Sequence, residues 1–405
     1  MKDEKYLKLR SLGFYFGDSN LRTGKQSQKN NSSIKGTDDY NSLGSYFFTE
    51  EAYTIDYTHG NVQFIELIRS GKTLKTPDDK FNFNLDQCLF IDTETTGLSV
   101  TGGTFAFMVG LGWFEENHFK VKQFFLKDPD QEQAMLLELD KLLKENTVLV
   151  SYNGITFDIP ILKARYRYHR LPGKIGKLEH VDLLKYARMV FRYQFEDRSL
   201  KSIEKKVIGL VRSGQEIPGY LAPVFYQNYL KTGEFSEVAG VFYHNKIDVV
   251  SLAAILKIIN EISCQNQELL SKYETVYFSL GKHYYRLKNN LKAIEHYSSA
   301  SSDPRITDEL KIKIYLALGK IYKQEKNFLM SAELLEKAAN LNSSSACIEL
   351  AKIHEHQLKD LLSAKLFCIK ALDILSSYPD SFSKKANIKD IQKRLHRING
   401  KTHNG

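Results

Sequence analysis

Four acids and one histidine occupy positions from which they could bind a metal ion. Asp92 and Glu94 follow the apolar run CLFI in a D-x-E pattern, and residues two apart on a strand point to the same side. Asp158 follows SYNGITF, and His244 and Asp248 are four apart in an apolar stretch, which places them on one helix face. Carboxylate oxygens suit Mg²⁺ or Mn²⁺. The pattern therefore predicts a divalent-metal site.

Each acid also has a purely structural interpretation. Carboxylates at the end of a buried strand need a compensating partner, and a hydrogen-bonded turn is one alternative to a metal. Asp158 could cap the helix that follows it, and Asp248 could be a buried acid satisfied by hydrogen bonds. Asp182 in HVDLL is a fifth acid that a helix cap explains equally well, so it stays outside the metal set. Because four acids occur together in this pattern, metal binding is favoured over separate structural roles.

The elements around these residues predict an α/β layer fold. Three strands in a meander, then a helix, a further strand and more helices are typical of that class. Alternating or β-branched runs predict the strands and helical spacing predicts the helices. The predicted strands are 45–57, CLFI up to Asp92, 104–114, 118–126 and 147–154; the predicted helices are 130–146, 158–170, 180–191, 199–210, 222–231 and 236–262.

The last third of the chain contains an internal repeat. LGKHYYRLKNNLKAIEHYSSA (280–300) and LGKIYKQEKNFLMSAELLEKAA (318–339) align with an offset of 38, and a weaker copy (350–372) has Ala351 in place of the glycine. These segments resemble tetratricopeptide repeats, which are helix–turn–helix units stacked into a solenoid. The alternative is an ordinary helical domain with accidental similarity.

Composition narrows the class of protein. The chain has 405 residues, 42% of them hydrophobic, and a formal net charge of +9, which favours an anionic partner such as nucleic acid. Cys88, Cys264, Cys347 and Cys368 form no CxxC pair, so they predict reduced thiols rather than disulfides or a zinc site. The start MKDEKYLKLR lacks a signal-peptide core, and no run predicts a membrane span. We expect a cytoplasmic protein without membrane contact.

Three ordered motifs resemble a known family. FIDTETTGL, NGITFDIPIL and HNKIDVVSL are similar to the motifs of the DEDD, or DnaQ-like, 3′–5′ exonucleases of the ribonuclease H-like superfamily, over about residues 86 to 262. HVDLLKYARMVF, SLKSIEKKVIGL and IPGYLAPVFYQNYLKTGE most resemble the bacterial YprB-type branch, which is often joined to tetratricopeptide repeats. The resemblance implies a ribonuclease H-like mixed sheet flanked by helices, followed by an all-α repeat solenoid.

The resemblance also implies a mechanism with two divalent metal ions, Mg²⁺ or Mn²⁺, about 4 Å apart. Asp92 would bridge both ions, Glu94 and Asp248 would hold one, and Asp158 would contribute to the other. His244 would orient or deprotonate the attacking water. In the family this residue is a tyrosine four before the last acid or a histidine five before it; here His244 has the tyrosine's spacing and Tyr243 the histidine's.

Nucleic-acid contacts are predicted around the second motif. KARYRYHRLPGKIGK (163–177) has six Lys or Arg and no acid, which predicts either a phosphate-contacting track or a solvated basic helix face. The glycines of SVTGGTF could admit a phosphate or simply form a turn. The candidate contacts are Thr95, Thr96, Asn153, Phe157, Lys163, Arg165 and Arg167.

The predicted organisation has four parts: an N-terminal extension, partly flexible, at 1–82, the exonuclease domain at 83–264, repeats at 272–375 and a tail at 376–405. The leading hypothesis is a nuclease that removes 5′-mononucleotides from the 3′ end of single-stranded DNA or RNA, with repeats that bind a partner protein. The alternatives are a nucleic-acid-binding module with weak or no catalysis and a repeat-based scaffold. The motifs leave open DNA or RNA, exonuclease or endonuclease, and the oligomeric state.

Overall fold

The computed structural model describes residues 34–69, 73–97, 103–212, 217–377, 379 and 381–403. The predictions for residues 1–33 of the N-terminal extension and for most of SVTGG lie outside these residues. No helix in the described ranges is long and apolar enough to cross a lipid bilayer.

A mixed sheet forms the centre of the fold. Within the described residues it has seven strands in the order β1-β2-β9-β8-β7-β10-β11. The pair β7/β8 is antiparallel, and β7/β10 and β10/β11 are parallel. Two small ribbons, β3/β4 and β5/β6, lie beside it. The strands are β1 Thr37–Asn41, β2 Gly44–Thr54, β3 Thr58–His59, β4 Val62–Gln63, β5 Thr73–Lys75, β6 Asn82–Asn84, β7 Cys88–Thr95, β8 Ala106–Glu115, β9 His118–Phe125, β10 Val148–Ser151 and β11 Glu179–Asp182.

Helices cover both faces of this sheet. The helices of this part are α1 Phe64–Arg69, α2 Glu132–Leu142, α3 Asp158–Tyr168, α4 Leu183–Val190, α5 Leu200–Ile203, α6 Ala222–Thr232, α7 Ala239–Ser263 and α8 Gln267–Lys272. The mixed sheet flanked by helices confirms the predicted α/β fold class.

Alternation along the strands separates two hydrophobic cores. Phe90 of β7 points into one core, which the apolar side of α7 fills from Val249 onward. Leu89 and Ile91 point into the other core, where α2, α3 and α6 pack. Successive strand residues face opposite sides of a sheet, so this one strand organises both layers.

Two glycines of β8 allow α7 to approach the sheet closely. A Cβ atom at Gly110 would lie 2.2 Å from Asn245 Oδ1, and one at Gly112 would lie 2.7 Å from Val249 Cγ1. In the sheet register Gly110 is the partner of Asp92. The glycines therefore bring α7 over the part of β7 that carries the first acids.

The structure differs from the sequence-based expectation at three places. The predicted helix 180–191 begins as strand β11 and becomes α4 only after Asp182. The predicted helix 199–210 is the single turn α5 followed by a π-helical turn at Glu204–Ile208. In addition, β1 and β2 are hydrogen-bonded into the central sheet, so the sheet includes strands that precede residue 83.

The C-terminal part is helical, as predicted. Its helices are α9 Val276–Arg286, α10 Asn290–Ser302, α11 Asp308–Gln324, α12 Phe328–Asn340, α13 Ser344–Ile353, α14 Leu361–Ser376 and α15 Phe382–His403, with a π-helical turn at His354–Leu358. A Cβ atom at Gly281 would lie 2.7 Å from Tyr297, and one at Gly319 would lie 2.8 Å from Leu335. The repeated glycine thus occupies the closest approach of paired helices.

Candidate active site

The four predicted acids converge at the carboxyl edge of the sheet. Asp92 and Glu94 lie on β7 beyond Phe90, the last β7 residue whose partner is on β10. Asp248 comes from α7 on one face, and Asp158 begins α3 on the other. The carboxyl edge is where open α/β sheets place their ligands. Three elements thus bring these acids into one cluster.

Asp92 is oriented by an asparagine that the sequence motifs had not singled out. Asn245 is fully buried, and its Nδ2 donates to Asp92 Oδ2 at 2.8 Å and to the Asp92 carbonyl at 3.1 Å. Its Oδ1 accepts from Gln123 Nε2 at 2.8 Å. The sequence contained one indication that Asn245 faces the acids: it lies three residues before Asp248 on α7, and residues three apart lie on one helix face.

Asp158 is held from the strand side. Its Oδ1 accepts from Thr93 N at 3.2 Å and from Thr93 Oγ1 at 2.5 Å. Phe157, and not Asp158, occupies the N-cap position of α3. The nearby Asp182 does cap its helix, since it accepts from Leu184 N, and it also accepts from Asn153 N at 2.8 Å. Asp182 is therefore a helix cap, which is the structural interpretation that the sequence offered for it.

His244, and not Tyr243, lies among the acids. His244 Nε2 is 3.8 Å from Glu94 Oε1 and 3.6 Å from Asp248 Oδ2. Tyr243 lies on another side of α7, in a cleft with Glu51. The i, i+4 spacing therefore decides which of the two adjacent rings reaches the cluster.

Like charges perturb the acids strongly. Burial raises the pKa of Asp92 well above its usual range, and the charges of Asp248, Asp158 and Glu94 raise this pKa further. Burial, followed by the charges of Asp248 and Asp158, likewise raises the pKa of Glu94. Burial raises the pKa of Asp158 to about 6, against the hydrogen bonds from Thr93. The cluster thus has an excess of negative charge, as functional sites often do.

The donor set fits a hard divalent cation in chemical type. The fit rests on the convergence of Asp92, Glu94, Asp158 and Asp248 and on the oxygen chemistry of their carboxylates, and burial raises the pKa of Asp92 and Glu94 there. In the described ranges no three acidic, histidine or cysteine side chains are already arranged around one point as ligands. Asp248 instead accepts from the Arg212 guanidinium at 2.5 Å.

The predicted nucleic-acid contacts lie at several places around the acids. Thr95 Oγ1 donates to the Gly97 carbonyl at 2.7 Å, and Thr96 Oγ1 accepts from Phe105 N at 3.2 Å. Asn153 is exposed in a left-handed turn with φ 70°, and Phe157 is half-buried. Thr95 and Phe157 are direct sequence neighbours of the predicted metal ligands Glu94 and Asp158, whereas Asn153 lies five residues before Asp158.

The basic residues of α3 divide into two groups. Lys163 and Arg167 line a groove with Ile159 and His180. Arg165 is instead engaged in the interior, because its Nε donates to Glu132 Oε1 at 2.7 Å and its side chain is only 14% exposed. Arg165 is thus committed to an ion pair, whereas Lys163 and Arg167 face a surface beside Asp158.

The fold and the acid cluster define a ribonuclease H-like domain, and sequence comparison agrees. Residues 89–260 match the model of a family described as RNase_H superfamily, and this match supports a ribonuclease H-like domain in that segment. The chain is 28% identical over 368 residues to the uncharacterized protein YprB of Bacillus subtilis, covering 85% of this chain and 86% of that protein.

A second relative matches over a short segment. DNA polymerase 1 of Aeropyrum pernix is 30% identical over 98 residues, which covers 20% of this chain and 10% of the polymerase. The superfamily match indicates a hydrolase that acts on nucleic acid. Nucleases of this superfamily generally use divalent metals.

Proposed function

We propose that this protein is a metal-dependent nuclease, a DEDD-type 3′–5′ exonuclease that shortens single-stranded DNA or RNA. One observation carries the proposal: four carboxylates from three elements meet at the carboxyl edge of a ribonuclease H-like sheet, with raised pKa values at Asp92, Glu94 and Asp158. A domain that only bound a polyanion would have no use for this concentration of negative charge beside a phosphate.

Asp92, Glu94, Asp158 and Asp248 are the residues proposed to hold two ions, Mg²⁺ or Mn²⁺. When bound, such ions supply charge stabilisation to the attacking and leaving oxygens of an in-line displacement. In the reaction, water adds to the terminal phosphorus and the bond to the preceding 3′ oxygen breaks. A 5′-mononucleotide and a new 3′ hydroxyl result.

The remaining residues orient the acids and the substrate. Asn245 fixes one Asp92 oxygen, and Thr93 fixes one Asp158 oxygen. His244 lies between Glu94 and Asp248, a suitable position for accepting the proton of the attacking water. Lys163 and Arg167 line the groove beside α3, and in this proposal they contact the backbone phosphates of a single strand.

The helical C-terminal part is proposed to form a tetratricopeptide-like solenoid that binds a partner protein. The glycines at its closest helix approaches support this assignment, because such repeats pack small residues there. The part is joined to the nuclease domain through aromatic packing, with the Tyr193 and Phe278 rings 4.8 Å apart. A bound partner would therefore lie on the same body as the active site.

A second candidate function is a nucleic-acid-binding module without turnover. The observation in its favour is that Asp248 is already paired with Arg212, together with the displaced histidine. In this case the protein would bind single strands in the presence of metal and leave them intact.

Cleavage of 5′-labelled single-stranded DNA and RNA tests the proposal. The full-length protein would be compared in Mg²⁺, Mn²⁺ and EDTA, beside Asp92→Asn and the matched control Asp86→Asn, an exposed acid preceding the same strand. A metal-dependent ladder that Asp86→Asn retains and Asp92→Asn loses is expected. Products cut internally would replace the exonuclease assignment by an endonuclease. Binding with intact substrate in every metal would select the non-catalytic module.

A further inference from the structure

Arg212 penetrates the acid cluster from the loop that follows the π-helical turn Glu204–Ile208. Its side chain is only 4% exposed, its Nη2 donates to Asp248 Oδ1 at 2.5 Å, and its Nη1 is 3.2 Å from His244 Nδ1. It therefore contacts two of the five residues predicted to act in catalysis. None of the three exonuclease-like motifs includes this arginine.

A second acid holds the guanidinium from the opposite side. Glu204 Oε2 accepts from Arg212 Nε at 2.7 Å, and Glu204 Oε1 accepts from Arg212 Nη2 at 2.5 Å. This two-point geometry is the one in which arginine binds carboxylates most specifically. Glu204 is 1% exposed and is not among the predicted metal ligands, so it is a dedicated anchor.

The anchor continues into the protein core. Burial raises the pKa of Glu204, against hydrogen bonds from Arg212 and from Ser251. Ser251 Oγ in turn lies 2.8 Å from Nε2 of the buried His59. The position of Arg212 is thus imposed by a chain of buried polar groups and does not depend on attraction to the acid cluster alone.

The electrostatics indicate a cation that stays charged. Burial opposes the charge on Arg212, but Asp248 and Glu204 raise its pKa nonetheless, and arginine is not deprotonated in proteins. Burial and the neighbouring acids raise the pKa of Glu94, and the charge of Arg212 partly opposes this rise. It therefore acts on the same acids that the proposed metal ions would neutralise.

We infer that Arg212 is a resident cation of this site, anchored by Glu204, with which divalent metal must compete for Asp248. This inference rests on the proposed function, because it requires that the acids bind metal. Removal of the positive charge should strengthen metal binding at Asp248 by at least about tenfold, since an opposing cation at contact distance is lost.

Titration calorimetry with Mn²⁺ tests the inference. The full chain would be compared with Arg212→Gln, Arg212→Lys and Arg397→Gln; Arg397 also binds a buried glutamate at two points, in the helical part. We expect Arg212→Gln to bind Mn²⁺ at least tenfold more tightly or to bind one more ion. Arg212→Lys, which keeps the charge, and Arg397→Gln should bind as the unaltered protein does.

Equal or weaker Mn²⁺ binding by Arg212→Gln would overturn the inference. If that variant fails to fold by circular dichroism, Glu204→Gln decides, because it loosens the anchor: tighter binding supports competition, and unchanged or weaker binding refutes it. Asp92→Asn separates this result from the proposed function. If Mn²⁺ binding is undetectable or independent of Asp92 in both the unaltered protein and Arg212→Gln, the metal site itself is wrong.

Discussion

Two groups of buried acids in this molecule have opposite electrostatic surroundings. In the helical part, Glu355 is fully buried and accepts from Arg397 at 2.7 Å, from Lys401 at 3.2 Å and from Arg394. The hydrogen bond from Arg397, with further help from Lys401, lowers its pKa to about 2. In the nuclease domain, burial and neighbouring acids raise the pKa of Asp92 instead.

The difference separates structure from function. Glu355 has more than enough positive charge around it, so it holds helix α15 against the turn His354–Leu358. Among the described residues, the guanidinium that pairs with the acids around Asp92 is that of Arg212, which binds Asp248. A folded chain tolerates such an excess of like charge when a ligand compensates it. Neutralising an acid should therefore have opposite effects on stability at the two places.

The largest effect on stability is expected at Glu355. Glu355→Gln leaves its three cations without their carboxylate and should lower the free energy of unfolding by about 3 kcal/mol at pH 7. The folded pKa of about 2 lies below the usual 4.5, so this stabilisation is present above pH 4.5 and is lost as the pH falls through 2. Urea unfolding at pH 7, 5 and 3.5 measures the shrinking difference.

Glu349 provides the matched control for this prediction. It pairs with Lys323 at 2.7 Å and Lys352 at 2.6 Å in the same helical part, but its side chain is 34% exposed. Glu349→Gln should cost less than about 1 kcal/mol, because water screens exposed pairs. Equal losses in the two variants would show that burial does not distinguish them.

Orientation of the acids should matter next. Asn245→Ala removes the amide that fixes Asp92 Oδ2 and should weaken Mn²⁺ binding by about 10- to 100-fold, as loss of outer partners typically does. Calorimetry measures the affinity. Lys246→Ala, which removes an exposed pair with Glu51 from the next residue of α7, should leave it unchanged. Unaltered binding in Asn245→Ala would mean that Asp92 needs no such support.

Asp92 should respond with the opposite sign to Glu355. In EDTA at pH 8, Asp92→Asn relieves repulsion within the cluster and should stabilise the protein by about 1 kcal/mol, the usual trade of function for stability. The thermal midpoint with and without Mn²⁺ measures this, and Asp86→Asn serves as the control. A lower midpoint for Asp92→Asn would identify Asp92 as a satisfied structural acid.

The sequence predicted the fold class and the acids because both depend on short-range pattern. Runs of aromatic and β-branched residues predicted β8 and β9, and the spacing of four residues puts His244 beside Asp248. Arg212 and Glu204 could not be predicted in this way. Glu204 belongs to a π-helical turn and Arg212 to the loop after it, and neither segment has a periodic sequence pattern that would indicate its contacts. Strand β11 was predicted as part of a helix, because its four residues, the last of which is the helix cap Asp182, are too few to show alternation.

The cations of α3 also divide into one that is paired with a buried acid and one that is not. The smallest expected effect is on single-strand binding by the second of these. Arg165 is bound to buried Glu132, whereas Arg167 is exposed and forms no ion pair within the described residues. Arg167→Ala should weaken single-strand binding only several-fold and reduce the slope of log affinity against log salt by about 0.7, the value for one lost phosphate contact.

Fluorescence anisotropy over a salt series in Ca²⁺ or EDTA, where cleavage is not required, measures this slope. Lys144→Ala removes an exposed cation near the amino end of β10, away from the acids, and should leave the slope unchanged. Arg165→Ala should instead lower the thermal midpoint, because it removes the guanidinium that pairs with buried Glu132 and leaves His169 Nε2, 2.6 Å away, as its neighbour. If Arg167→Ala and Lys144→Ala behave alike, the basic residues of α3 are a solvated helix face, and the single strand must reach Asp158 by another path.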